Sequence, residues 1–308
     1  VSAKLTKKLY SSLKNEEYIR VKLGKVDNEI VATPLNRGAG ITMSLVKSDG
    51  LLKIDRLREG YEVGAQVEVI LPTETTMDIS NTLVSIGSHD IALDILNDLM
   101  CGSHFNLASS HLGSFSGVLA MKNKEAHIAP VHILHKSGEY NTDIIKQYLN
   151  DDYLLVEGIL RTQSIYVKKG NPKRIKTIQD LTRSDVTYVN RQKGSGTRIL
   201  LDYLLQKEEI NPKDIKGYAF ELPTHTAVAA SVSDERYDAG LGVVSVANLY
   251  DLDFVDIGLE QYDFLIHKDT LKLKSYKTFI KQLNSMEFRQ KLNDLGGYII
   301  NQPGTIKT

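Results

Sequence analysis

The stretch Asn190-Arg191-Gln192-Lys193-Gly194-Ser195-Gly196-Thr197-Arg198 combines residue types that hold a small anion. Its glycines let the backbone approach a ligand closely. Ser195 and Thr197 are of the kind that caps a helix, whose first N–H groups favour negative charge. Lys193 and Arg198 add positive potential without having to touch the anion. The same device, a short apolar strand running into a Ser/Thr/Gly loop and then a helix, recurs at Gly87-Ser88-His89-Asp90, at Gly113-Ser114-Phe115-Ser116-Gly117 and at Pro223-Thr224-His225-Thr226. A tetrahedral oxyanion offers only acceptor oxygens. The hydroxyls of Ser88, Ser114, Ser116, Ser195, Thr197 and Thr224, with backbone N–H groups such as that of Gly196, make a donor set suited to it. His89 and His225 stand beside hydroxyls on these loops and are candidate donors, while Tyr140 is a candidate rim contact. Each hydroxyl is equally suited to capping its own helix.

Other chemistries find less support. Ser88-His89-Asp90 contains the letters of a catalytic triad, but three consecutive residues do not take up a triad's spatial order. His132 and His135 lack the His-Glu-x-x-His spacing and an evident acidic third ligand, so no metal site is expected. Cys101 is the single cysteine, which excludes an intrachain disulfide. Lysine plus arginine number 38 and aspartate plus glutamate 38, leaving no basic footprint for nucleic acid and no pull toward anionic membranes. No apolar run approaches the ~18 residues of a membrane span, and the N-terminus lacks a secretory layout, so a cytoplasmic location is expected. The chain opens on Val1 rather than Met, from which removal of an upstream segment is expected.

The elements that must position these loops fall into two textures. From Tyr18 to Leu71 short alternating strands, such as Ile19–Leu23, Glu29–Thr33 and Gln66–Leu71, imply a small β-barrel. A polar stretch, 73–81, reads as a linker. Beyond it strands and helices alternate twice, an α/β pattern. Lobe I (82–165 and 259–308) includes strands Thr82–Ile86, Phe105–Ala108, Ala126–Val131 and Tyr153–Leu160; lobe II (166–258) includes strands Val186–Val189, Gly217–Phe220 and Ala239–Val244. Ser164–Lys168 and Asp256–His267 are expected to cross between the lobes as hinge strands, with the strand-end loops facing one cleft.

Val31-Ala32-Thr33-Pro34-Leu35-Asn36-Arg37-Gly38-Ala39-Gly40-Ile41, with Ser48-Asp49-Gly50-Leu51-Leu52 and the Leu57–Ala65 turn, resembles the C-terminal β-barrel domain of the molybdopterin molybdotransferases (MoeA-like), over residues 1–72. The remainder, 82–308, resembles a type II periplasmic-binding-protein-like domain of the LysR substrate-binding kind. That likeness rests on Gly87–Asp90, Ser137–Asn141, Asn190–Arg198, Thr224–Ala229 and Asp238–Gly242. The resemblance implies the C-terminal portion of a molybdenum-cofactor biosynthesis protein, whose cleft holds molybdate or tungstate to sense it or supply it. A receptor or regulator domain for another small anionic or organic ligand is the alternative. Molybdopterin and Mg are implied only for the parent enzyme, because that family's cofactor-binding and catalytic residues lie in domains that no stretch here matches. The fragment alone is therefore expected to lack insertion activity. A homodimer is compatible with the resemblance, and Arg37 then has a pterin phosphate as a conceivable partner.

Overall fold

The computed structural model describes residues 1–35, 48–72 and 79–307. Arg37, Gly38, Gly40 and positions 73–78 of the expected linker lie outside the described residues. The barrel strands are β1 (Ser2–Leu5), β2 (Leu9–Tyr10), β3 (Glu17–Val26), β4 (Glu29–Pro34), β5 (Gly50–Ile54), β6 (Gly60–Tyr61) and β7 (Gln66–Ile70). Five of them close in the order β1-β4-β3-β5-β7, with β1 and β7 antiparallel; β2 and β6 pair beside it. In β3 the period of two places Ile19, Val21 and Leu23 inside and Arg20 and Lys22 toward water. A short 3-10 turn, Ile79–Asn81, leads out of the barrel.

Lobe I follows as β8 (Thr82–Gly87), α1 (Ile91–Cys101), β9 (Asn106–His111), α2 (Ser114–Lys122), β10 (Ile128–Val131) and α3 (Ile144–Tyr148). The chain then leaves along β11 (Tyr153–Val167). Lobe II comprises β12 (Tyr188–Arg191), α4 (Gly196–Lys207), β13 (Glu221–Leu222), α5 (His225–Ser233), β14 (Ala239–Val243) and α6 (Val244–Leu249). The return is β15 (Asp253–His267), after which α7 (Lys274–Leu283), α8 (Met286–Leu295), β16 (Tyr298–Ile299) and β17 (Ile306–Lys307) rejoin lobe I. One sheet runs through both lobes in the order β13-β12-β14-β11-β15-β10-β8-β9. The apolar cores nevertheless separate. Leu83, Ile128, Ile159, Tyr262, Phe279 and Phe288 share one cluster in lobe I, whereas Ile165, Val167, Tyr188, Leu201 and Leu241 share another in lobe II.

Two expectations change. Tyr153–Leu160 and Ser164–Val167 belong to one 15-residue strand, and Asp256–His267 lies within another, Asp253–His267. The two long strands pair with each other across both lobes, and register shifts at Val156/Ile159 and Gln163/Ser164 take up the bend. Gly217–Phe220 is not a strand. Gly217 has φ of 99° and its carbonyl accepts the Phe220 N–H, a turn that postpones pairing to Glu221–Leu222.

The barrel is docked on lobe I. Val26 and Val31 share a core with Val84, Thr6 bonds Ser110 at 2.8 Å, and Lys4 pairs with Glu125 at 2.9 Å. Beneath this seam His127 accepts the Val84 N–H on Nδ1, and burial lowers its pKa from 6.5 to about 4. A histidine held neutral leaves stability intact above the unfolded value and loses it as pH falls, because the unfolded chain takes a proton that the folded one refuses. Denaturant unfolding at pH 5 is expected to show about 2 kcal/mol less stability from this group than at neutral pH. In His127→Asn, which keeps an acceptor but cannot titrate, that share of the pH slope should disappear; equal slopes in the two proteins would refute the assignment. Among the described residues no helix is long and apolar enough to cross a membrane.

Candidate functional site

In lobe I, Ser88 follows β8 directly, fixed by its N–H to the Pro130 carbonyl at 2.9 Å. Gly87 permits this approach, since a Cβ there would stand 2.5 Å from the same oxygen. Ser88 Oγ lies 2.6 Å from His132 Nε2, and His132 Nδ1 lies 2.5 Å from Glu260 Oε1. Ser114, at the start of α2, accepts the His132 backbone N–H at 3.1 Å and so sets the imidazole's position. Tyr262 lies alongside the ring and donates to the Ser88 carbonyl at 2.6 Å.

The carboxylate behind His132 belongs to the crossing strands. Glu260 is 1% exposed; its second oxygen accepts from Arg161 at 2.5 Å and from Gln163 at 2.7 Å. Burial opposes its ionisation, but Arg161 and then His132 outweigh burial and hold the carboxyl well below the usual carboxylate range. Arg161 also donates to Asp90 at 2.8 Å, and Asp90 caps α1 through the Ala92 N–H. Gln163 accepts from Thr197 of α4 at 3.4 Å. A continuous chain, Ser88–His132–Glu260–Gln163–Thr197, therefore passes from one lobe to the other through the strands that join them.

The lobes touch across the cleft. A Cβ on Gly196, the first residue of α4, would lie 2.4 Å from His132 Cε1, and one on Gly138 would lie 2.4 Å from the Tyr203 hydroxyl. Lobe II adds Arg191, at the end of β12. It is 9% exposed, and its Nε and Nη1 make no hydrogen bond within the described chain. Burial lowers its pKa, and the only other influence of note is the Tyr166 hydroxyl. His225 stands beside Gly242, within the fields of Arg191, Arg161, Glu260 and His132. Burial first, and then the two arginines, lower its pKa to about 3, and its Nδ1 has no partner. The buried Tyr140 hydroxyl, also unpartnered, is raised by burial and then by Glu260.

Of the residues chosen from sequence, Ser88, Ser114, Gly196 and Thr197 converge on His132 and its network, and Tyr140 and His225 lie within its field. Ser195 caps α4 by accepting the Arg198 N–H at 3.3 Å, and Thr224 caps α5 by accepting the Ala227 N–H at 3.0 Å. Arg198 is engaged elsewhere: it pairs with Asp202 and Glu221 and lies over the Tyr218 ring. His89 bonds Asp94 at 3.1 Å and lies against His111 with the two rings tilted by 40°. Ser116 lies on the first turn of α2, whose N-cap Gly113 supplies no side chain. Sequence reasoning missed His132, Arg161, Gln163, Arg191 and Glu260 as site residues. A cavity of about 300 Å³ at the barrel seam is a weaker candidate, because most of its charges already pair, Lys124 with Asp27 and His267 with Asp269.

Residues 98–284 match the family described as the PBP superfamily domain. The chain belongs to the PBP superfamily. Ahead of that domain, residues 2–71 match the MoeA C-terminal region (domain IV), so both parts of the resemblance drawn from the sequence hold. YvgK of Bacillus subtilis (strain 168), described as an uncharacterized protein, is 34% identical over 226 residues, 72% of this chain and 73% of that one. Among solved structures, an ABC-type phosphate transport receptor from Vibrio cholerae is similar at 17% identity and TM-score 0.51, covering 71% of this chain and 100% of the receptor. The tungstate ABC transporter from Geobacter sulfurreducens is similar at 16% identity and TM-score 0.51, covering 69% and 98%. At these identities the likeness extends to the two-lobed PBP fold, the architecture in which this PBP-superfamily chain carries its network.

Proposed function

We propose that the interlobe cleft holds a small tetrahedral oxyanion, molybdate or tungstate, and that the protein serves molybdenum-cofactor biosynthesis by sensing or supplying it. Arg191 carries this reading. A guanidinium this buried, with no carboxylate within ion-pair distance among the described residues, is costly unless an anion completes it. The first N–H groups of α2 and α4 and the hydroxyl of Ser88 add donors without adding charge. The MoeA C-terminal region ahead of the cleft favours a metal oxyanion, and the tungstate and phosphate proteins of similar fold supply precedent for the class.

Among the described residues no three His, Cys, Asp or Glu side chains are grouped to hold a metal ion. Calorimetric titration with molybdate, tungstate, sulfate and phosphate tests the proposal. Saturable 1:1 binding, tightest for molybdate or tungstate, is expected; a protein that binds none of the four would leave an organic ligand as the better reading.

A further inference from the structure

Glu260 lies against Arg161 and is held as a carboxylate, an acceptor only, so His132 Nδ1 must donate to it. This fixes the roles on the other side of the ring. When Nε2 carries no proton it is an acceptor, and at 2.6 Å it takes the Ser88 hydroxyl hydrogen. Ser88 then turns only lone pairs to the cleft, facing any oxyanion acceptor to acceptor. When Nε2 is protonated it donates to Ser88 Oγ, and the Ser88 hydrogen is released toward the ligand.

We propose that His132 sets the protonation class of oxyanion the cleft accepts: an acceptor-only dianion binds with uptake of one proton onto His132 Nε2, whereas a hydrogen-bearing oxyanion binds without it. The proposal rests on the oxyanion reading of the same cleft and adds the proton to it. The balance is simple. Neutral imidazole plus a proton from solvent gives imidazolium, and no bond to the ligand forms or breaks. A hydrogen phosphate brings its own hydrogen, which the Ser88 lone pair accepts.

Charged and polar groups meet the ring from both lobes. Glu260 from β15 faces Nδ1; Asp90 from the N-cap of α1 shares Arg161 of β11 with it. Those two carboxylates and one guanidinium sum to a single negative charge, which an imidazolium brings to zero. Ser88 faces the ring from lobe I while Ser114 holds the His132 backbone N–H, Tyr262 lies alongside the ring, and Gly196 abuts it from α4. His225 from α5 and Arg191 from β12 face the same space, the former neutral and the latter cationic.

The experiment is calorimetry with tungstate in two buffers of different ionisation enthalpy, repeated with inorganic phosphate at about pH 8, where phosphate retains one proton. For tungstate the apparent enthalpies should differ by the equivalent of about one proton, and affinity should fall toward tenfold per pH unit on the alkaline side. For phosphate the difference should be near zero. His132→Gln should flatten the tungstate pH dependence. Ser88→Ala, which removes only the hydroxyl, should bind tungstate more weakly and without proton uptake, and so serves if the His132 variant does not fold. Tungstate binding with no buffer dependence in the wild type would overturn the inference and leave the oxyanion reading standing; failure to bind any oxyanion would overturn both. Covalent capture of Ser88 by a fluorophosphonate would also overturn it, by making Ser88 a nucleophile activated by His132.

Discussion

Arg191→Met is expected to abolish most oxyanion affinity while raising the stability of the unliganded protein. Truncating one partner of a buried charge pair costs about 2–5 kcal/mol of binding. The unliganded protein, by contrast, stands to gain, because a desolvated guanidinium with two unpartnered nitrogens gives way to a thioether of similar length. A gain of about 1 kcal/mol or more fits a functional group that is costly to the fold. Thermal unfolding and anion titration on the same preparation check both halves. Arg198→Gln is the contrast: Arg198 is equally buried, but Asp202 and Glu221 already meet its charge, so a small effect on binding and a loss of stability are expected. Loss of affinity in Arg198→Gln with none in Arg191→Met would move the anion to the outside of α4.

Gly196→Ala should weaken binding by about tenfold or more without harming α4. Alanine is the better helix former by about 1 kcal/mol. Its Cβ, however, would meet the His132 ring at 2.4 Å, and that ring is held by Ser88 on one side and Glu260 on the other. Neither side can give way, so the strain falls on lobe closure; overpacking of this kind costs about 1–3 kcal/mol. In solution scattering the wild type is expected to contract on binding tungstate, through small rotations where β11 and β15 bend, and the variant to contract less. Identical scattering from free and calorimetrically saturated wild type would refute the closure, and undiminished affinity in the variant would refute the contact.

Much of this architecture was legible in the sequence, for identifiable reasons. The barrel strands alternate cleanly because one face of each is buried, and the loops after the parallel strands carry Gly, Ser and Thr because helices begin there. The crossing strands were harder. Arg161, Gln163 and Glu260 interrupt the apolar pattern of β11 and β15, and a charged residue inside a strand reads as an end; only tertiary pairing shows that the three satisfy one another. The two arginines flanking Gly194-Ser195-Gly196-Thr197 illustrate the same limit. Asp202 lies four residues after Arg198, a helical ion-pair spacing visible in the sequence, and it marks Arg198 as the occupied cation. Nothing local marks Arg191 as buried. Its isolation follows from the closing of lobe II around β12. His132 ends an apolar run, where its role depends on Glu260, 128 residues away.

The most direct measurement is diffraction from crystals grown with tungstate, recorded at the tungsten absorption edge. A single strong anomalous peak is expected in the cleft, within hydrogen-bonding reach of the Arg191 guanidinium, the Ser88 hydroxyl and the first N–H groups of α4, and it should be lost in Arg191→Met. A peak confined to the barrel seam near Lys25 and Lys124, or a cleft peak of undiminished height in Arg191→Met, would contradict it.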